Sequence, residues 1–353
     1  MRRKRSKSAK KLHKLSSFPW LQSKRFRVIL AVGLISTILL LSAQFVASVE
    51  VKEPMTLYIP IDPKAREEQS KQVSMIFPSY TLWHWLVRYG GLRAGRYEIQ
   101  VGERAFVVWR RLRNGLQSPV RVYLRPQRSP ERLAKFLGEV LAYDSATWAA
   151  SFASYPWESI GLTRYNWIGI FLPDVYELYW TTPPERLIQR VYEVYSRFWT
   201  EERRRKAESI GFTPIEVVTL ASIVEYETYR NSEKPLIAGV YLNRLRLGMP
   251  LQADPTVIFA TRQFDANRVT ARMLEVDSPY NTYKRRGLPP GPIGMPSIES
   301  IEAVLNYTPS EYLFFCARPD GSGYHDFSKS YPEHLIKAKA YQKALNRWLA
   351  QKR

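Results

Sequence analysis

Between Val28 and Val49 lie 22 residues without a formal charge, VILAVGLISTILLLSAQFVASV. At about 1.5 Å per residue, a helix of that length spans roughly 33 Å, enough to cross the hydrocarbon core of a bilayer. The flank ahead of it sets a direction. Residues 1–27 carry eleven Lys or Arg and no Asp or Glu, and a basic flank of this kind stays on the cytoplasmic side. The expected topology is a basic cytoplasmic tail (1–27), a transmembrane helix (28–49), and everything from Glu50 onward outside. That makes a single-pass protein of the cell inner (cytoplasmic) membrane with a periplasmic or extracytoplasmic domain. A cleaved signal peptide competes, with small residues near Ala43 and Ala47, but the basic lead and the apolar run are both long for one.

The 353 residues leave room for two or three domains of ordinary core size. The formal net charge is +21, and the tail supplies about half of it. A basic tail can serve nucleic acid. Beside a spanning helix its partner is instead anionic membrane lipid, and no nucleic-acid partner is expected. Cys316 is the single cysteine, so no internal disulfide can form. There is no HExxH, no CxxC, no Walker loop and no Rossmann glycine pattern, so neither a metal nor a cofactor is expected.

Past the membrane the pattern is α+β. Residues 50–62 read as a strand, and Val73 to Gly90 as one helix ending at Gly90-Gly91. GRYEIQVGERAFVVWRRLRNG (95–115) reads as strand, turn and amphipathic helix closed by Gly115. Val120–Leu124 is a strand, and Ser129-Pro130 opens a helix to about Ala142. Residues 143–184 are rich in Trp and Tyr, which suits either a sugar groove or a core. Glu185–Ile210 reads as one long charged helix.

At Thr213 the signals sharpen. Thr213, Pro214 and Glu216 form a capping box with proline at the first helical position. An apolar run from Val217 to Val224 follows, and then Glu225 and Glu227, about 200° apart on the helix. Glu225 stacks over Val218 and Ala221. A carboxyl there either loses hydration and holds its proton near neutral pH, or ends the stripe at a solvated edge or paired with a base. Ser232 is the expected cap of a second helix ending at Gly248, with Ile237, Val240, Tyr241 and Leu245 buried. Tyr280, Asn281, Thr282 and Tyr283 lie in a segment that reads as too polar for core, and GLPPGPIG (287–294) as a rigid extended path. A hairpin (312–317 with 324–327) and a helix from about Tyr331 to Gln351, with Leu335, Ala338, Tyr341, Leu345 and Trp348 on one side, close the chain.

The run LASIVEYET, then YLNRLRLGMPLQADPTVIF, then SPYNTYKRRGLPPGPIGMPS resembles the YceG-like family of endolytic murein transglycosylases. FLPDVYEL at 171–178, EYLFFCA and YHDFS extend the likeness, although Val175 stands where the family carries Thr. The resemblance implies a small LysM-like βα subdomain at 50–125 and a mixed α+β catalytic domain at 126–353, with core motifs in 171–330. It implies that Glu225 is the catalytic acid/base, and that Gln252, Thr256, Tyr280, Asn281 and Tyr283 border the sugar groove, with Asp254 either joining them or capping the turn at Asp254-Pro255. Asn281 would orient an N-acetyl group, and Tyr283 would hydrogen-bond near the bond being cut.

The implied reaction breaks the MurNAc–GlcNAc β-1,4 bond of nascent peptidoglycan glycan strands and leaves 1,6-anhydroMurNAc ends, terminating elongation beside cell-wall synthases. Two other readings stay open. One is a two-carboxylate muramidase with Asp254 or Glu227 as the second acid. The other is a non-catalytic peptidoglycan-binding scaffold.

Overall fold

The computed structural model describes residues 23–266 and 268–351. Most of the basic tail, residues 1–22, lies outside the described residues. The described chain is α+β and divides into two compact units, residues 1–119 with 179–181, and residues 120–178 with 182–353. The division between the units falls after Pro119, and the next strand pairs inside the second unit.

The first unit begins with helix α1, Lys24–Val46, in which no residue is fully buried. Its apolar length is shorter than the sequence suggested. Ala47 leaves the helix, and Val49 enters the core of the unit, only 5% exposed. Strand β1 (Met55–Ile59), helices α2 (Pro63–Ser74) and α3 (Tyr80–Gly90), strand β2 (Gly95–Ile99) and helix α4 (Ala105–Asn114) complete it. β1 and β2 pair antiparallel, with Leu57 opposite Tyr97. The single helix expected over 73–90 is broken. Pro78 disfavours helical backbone at the residue before it, α2 ends at Ser74, and α3 starts afresh after Ser79. The break lets Phe77 stack on Trp83 at 4.7 Å between ring centres, and both are buried with Ile59, Val87, Tyr97 and Leu112. Gly115 closes α4 in the left-handed region (φ 71°), where glycine costs nothing.

In the second unit, β3 (Val120–Leu124), α5 (Pro130–Val140), α6 (Ser145–Ser154) and β4 (Asp174–Leu178) come first, with β3 and β4 antiparallel. The aromatic segment is mostly core. Trp148, Trp157, Trp167 and Tyr176 are buried, with Trp157 and Trp167 stacked at 4.8 Å. Two shorter helices, α7 (Pro184–Phe198) and α8 (Glu201–Ser209), replace the expected single one. Thr200 interrupts the run by capping α8 through Arg203 N–H.

The centre of this unit is α9, Pro214–Glu227. Its capping box forms as expected, with Thr213 N–H donating to Glu216 Oε2 at 2.8 Å. Eight successive residues, Val217 to Val224, are buried, so the helix is enclosed on every side rather than along one stripe. The turn at Trp167–Ile170 comes so close that a Cβ on Gly169 would lie 2.7 Å from Ile215 Cδ1. The proline-rich 287–294 path runs beside the same helix and is tied to it by Ile293 N–H donating to Ser222 Oγ at 3.0 Å.

Helices α10 (Lys234–Arg246), α11 (Asp254–Thr261), the single turn α12 (Ala271–Leu274) and α13 (Ile298–Leu305) follow, then hairpin strands β5 (Phe314–Ala317) and β6 (His325–Ser328), and α14 (Tyr331–Gln351). Glu233, not Ser232, occupies the start of α10, and no side-chain cap is made there. α14 has the expected extent; on its apolar side Leu335 is exposed, Ala338, Tyr341 and Leu345 are half-buried, and the Trp348 side chain lies outside the described residues.

Candidate active site

The last turn of α9 sends its two carboxyls into different surroundings. Glu225 meets the start of α13. Its Oε2 accepts from Ser297 Oγ and Ser300 Oγ, each at 2.5 Å, from Ser297 N–H at 3.2 Å and from Lys234 Nζ at 3.0 Å. The Lys234 side chain is 4% exposed and that of Glu225 18%. Burial alone would push this carboxyl up, but the two hydroxyls and the ammonium outweigh it and hold Glu225 below its ordinary value. The raised pKa expected from the apolar stripe is therefore corrected. Lys234, seven residues after the helix ends and on another element, supplies the charge that the stripe cannot.

Glu227 turns the other way, into a cavity of about 210 Å³ lined by Tyr241, Arg244, Leu251, Gln252, Asp254, Tyr283 and Phe315 as well as its own side chain. Its Oε1 accepts from Tyr241 O–H at 2.5 Å. Burial pushes Glu227 up to about 7; the Tyr241 hydrogen bond opposes this, Asp254 adds to it, and Arg244 again opposes. A carboxyl so placed is protonated in a substantial fraction of molecules at neutral pH.

The cavity wall is rigid. Tyr283 O–H donates to Asp254 Oδ1 at 2.5 Å, and burial together with that carboxylate holds the Tyr283 proton on. Arg244 is 8% exposed. Its Nε donates to Leu313 O at 2.6 Å and its Nη1 to Leu251 O at 2.7 Å, and Phe314 lies under the guanidinium. Gln252 holds φ at 51°, a left-handed conformation that costs a non-glycine residue of order 1 kcal/mol and recurs at functional sites. Its N–H donates to Thr282 O.

Of the residues expected to border a groove, Gln252, Asp254 and Tyr283 converge on this cavity. Thr256, Tyr280 and Asn281 do not. Thr256 is fully buried and pairs with Thr282 at 2.8 Å. Tyr280 donates to Tyr165 O and packs on Phe259. Asn281 is fully buried; its Nδ2 donates to Leu274 O and Val276 O, and its Oδ1 accepts from Tyr283 N–H. The polarity of SPYNTY is thus internal wiring that fixes Tyr283, and an N-acetyl group finds no free amide at Asn281. Arg244 and Phe315 escaped the sequence reading, and Tyr241 was placed only as core. Arg244 was detectable, because it falls three residues after Tyr241 on the buried side of α10, and an unpaired buried Arg is rare.

The YceG-like family matches residues 66–340, and the chain belongs to that family. It is 43% identical over 118 residues to the endolytic murein transglycosylase of Bacillus subtilis (33% of this chain, 32% of that protein). It is 33% identical over 182 residues to the protein of the same description from Streptococcus pneumoniae D39 (49% of this chain, 33% of that protein). A crystal structure of a YceG-like protein from Listeria monocytogenes is 26% identical, covers 81% of this chain and 99% of that one, and superposes with a TM-score of 0.54. The chain spans about a third of the length of the curated relatives it matches.

Proposed function

We propose that this protein is a membrane-anchored lytic transglycosylase of murein, with Glu227 as its acid/base. The observation that carries the assignment is the cavity at the end of α9, where a carboxyl poised near neutral pH faces Gln252, Asp254 and Tyr283. Protonated Glu227 gives its proton to the glycosidic oxygen as the MurNAc–GlcNAc bond breaks. The carboxylate left behind takes the proton of the MurNAc 6-hydroxyl, whose oxygen attacks C1 and closes the 1,6-anhydro ring. No water is consumed. Tyr241 orients Glu227, and Tyr283, oriented by Asp254, offers its hydroxyl to the sugar. Glu225, the acid implied by sequence resemblance, becomes a brace joining α9, α10 and α13.

Anchoring through α1 with its basic end in the cytoplasm, action on nascent strands and proximity to synthases belong to the same reading. The strand–helix–helix–strand unit at 55–99 is its LysM-like part. Tyr58 and Trp180, 5.1 Å apart beside Gln69 and Gln72, support sugar contact there. The muramidase reading keeps one support, since Asp254 shares the cavity with Glu227 and a second carboxylate is what a hydrolase needs.

The test uses the full chain in detergent with uncrosslinked murein strands. Products lighter than hydrated fragments by one water, about 18 Da, made by wild type and by Glu225→Gln but not by Glu227→Gln, are expected. Hydrated reducing ends would favour the muramidase, and no cleavage by wild type would favour the scaffold.

A further inference from the structure

The geometry points to a second membrane contact: the outer face of α4 lies in the headgroup layer of the leaflet where α1 emerges. This inference rests on α1 spanning a bilayer. From Val28 to Val46 the helix has 19 uncharged residues, roughly 28 Å, against about 30 Å of hydrocarbon. The bilayer surface therefore falls at Val46–Ala47.

No slack follows that point. Ala105 N–H donates to Ala47 O at 2.8 Å, Ser48 Oγ donates to Gly102 O at 3.1 Å, Val49 N–H donates to Glu103 O at 2.8 Å, and Glu50 N–H donates to Ile76 O at 2.7 Å. Phe45, in the last turn of α1, packs edge-on against Trp83 and Phe106. The start of α4 is thus joined to the exit point of the helix by successive backbone bonds rather than by a linker.

The pattern on α4 suits that position. Ala105, Val108, Trp109 and Leu112 are buried, whereas Phe106, which packs on Phe45 at the end of α1, and its neighbour Val107 are 39% and 38% exposed. Arg104, Arg110 and Arg113 are exposed, and none makes an ion pair among the described residues. Arg111 is the exception, bound to Glu103 at 2.7 Å. An apolar turn nearest the hydrocarbon, flanked by arginines, is the arrangement of an interfacial helix, with rings among acyl chain ends and guanidinium groups on lipid phosphates. Continuity with the spanning helix selects lipid over a soluble partner.

The test uses the full chain with Cys316→Ser and a polarity-sensitive fluorophore on Val107→Cys, in nanodiscs containing phosphatidylglycerol. A second label on Arg110→Cys guards against a local effect of the first. Blue-shifted emission, quenched by headgroup nitroxide lipid and protected from aqueous iodide, is expected at both sites. Adding Arg104→Glu and Arg113→Glu to the labelled Val107→Cys chain should weaken the contact about fivefold per residue. Iodide quenching equal to that of a label on the exposed Tyr229→Cys would overturn the inference while leaving the anchor intact. If alkaline carbonate strips the protein from the bilayer, the anchor falls and the inference falls with it.

Discussion

Glu225 and Glu227 sit two residues apart on one helix, yet the fold treats them in opposite ways. Glu225 is given a buried ammonium and two hydroxyls, and its proton is driven off. Glu227 is buried beside one phenol and a nearby carboxylate, and its proton is held. The same helix end thus holds one carboxyl charged and one neutral, and the 200° between them is what separates their surroundings. Burial is common to both. The difference is whether the neighbours favour the charged or the neutral form.

The largest expected break in this comparison is chemical. Glu227→Gln should lower strand cleavage by about 10²–10⁴, the range for losing a positioned acid/base. Glu225→Gln should retain most of the turnover per folded molecule. Mass analysis of products, normalised to the folded fraction, checks both. Comparable losses in the two variants would merge the roles again.

Next in size is Lys234→Ala. It leaves Glu225 buried beside hydroxyls with no counter-charge, a change that costs on the order of 3–5 kcal/mol at a buried pair. Since Glu225 is partly exposed, the lower end is expected. Lys234→Ala with Glu225→Gln should recover much of the loss in a denaturant titration, because no charge is then stranded.

The contrast itself was half legible in the sequence. The capping box, the enclosed apolar run and the divergence of the two carboxyls follow from local rules that the fold obeys, and the closing hairpin formed with its expected pairing. What was not legible is what each carboxyl meets. Lys234 and Ser297 reach Glu225 from positions nine and 72 residues away, and no periodicity reports such a meeting. Local breaks were missed for a related reason. Pro78 and Thr200 each end one helix and start another, and an apolar pattern that merely continues in phase hides them. Asn281 looked like a ligand because its polarity was visible while its backbone partners, Leu274 and Val276, were not.

A smaller effect separates the two carboxyls by pH. The folded pKa of Glu227, about 7, lies above its unfolded value near 4.3. Its contribution to stability is therefore complete below the unfolded value and is lost as pH rises through about 7. Glu225 has the opposite sign. Its folded pKa is lowered, so its contribution is present above the unfolded value and is lost as pH falls through the folded one. Between about pH 5 and 9, wild type should lose roughly 2–3 kcal/mol more than Glu227→Gln. Glu225→Gln should be least stable relative to wild type at neutral pH and should converge with it in acid. Unfolding midpoints across that range give the sign for Glu227, and midpoints carried into acid below about pH 4 give the sign for Glu225.

The smallest and sharpest test tunes Glu227 without removing it. If protonated Glu227 is the acid, kcat/KM should fall as pH rises through about 7. Asp254→Asn deletes the neighbouring negative charge that helps hold the proton, so the alkaline limb should move to lower pH. Tyr241→Phe deletes the hydrogen bond that favours the carboxylate, so the limb should move to higher pH. Each shift should be about one unit or less, since each neighbour opposes or adds to a dominant desolvation. Shifts of opposite sign from two neighbours of one carboxyl cannot arise from a general loosening of the cavity, which would hydrate Glu227 and lower its pKa in both. Two shifts to lower pH would report such a loosening, whereas two shifts to higher pH, or no shift in either variant, would remove Glu227 as the titrating acid.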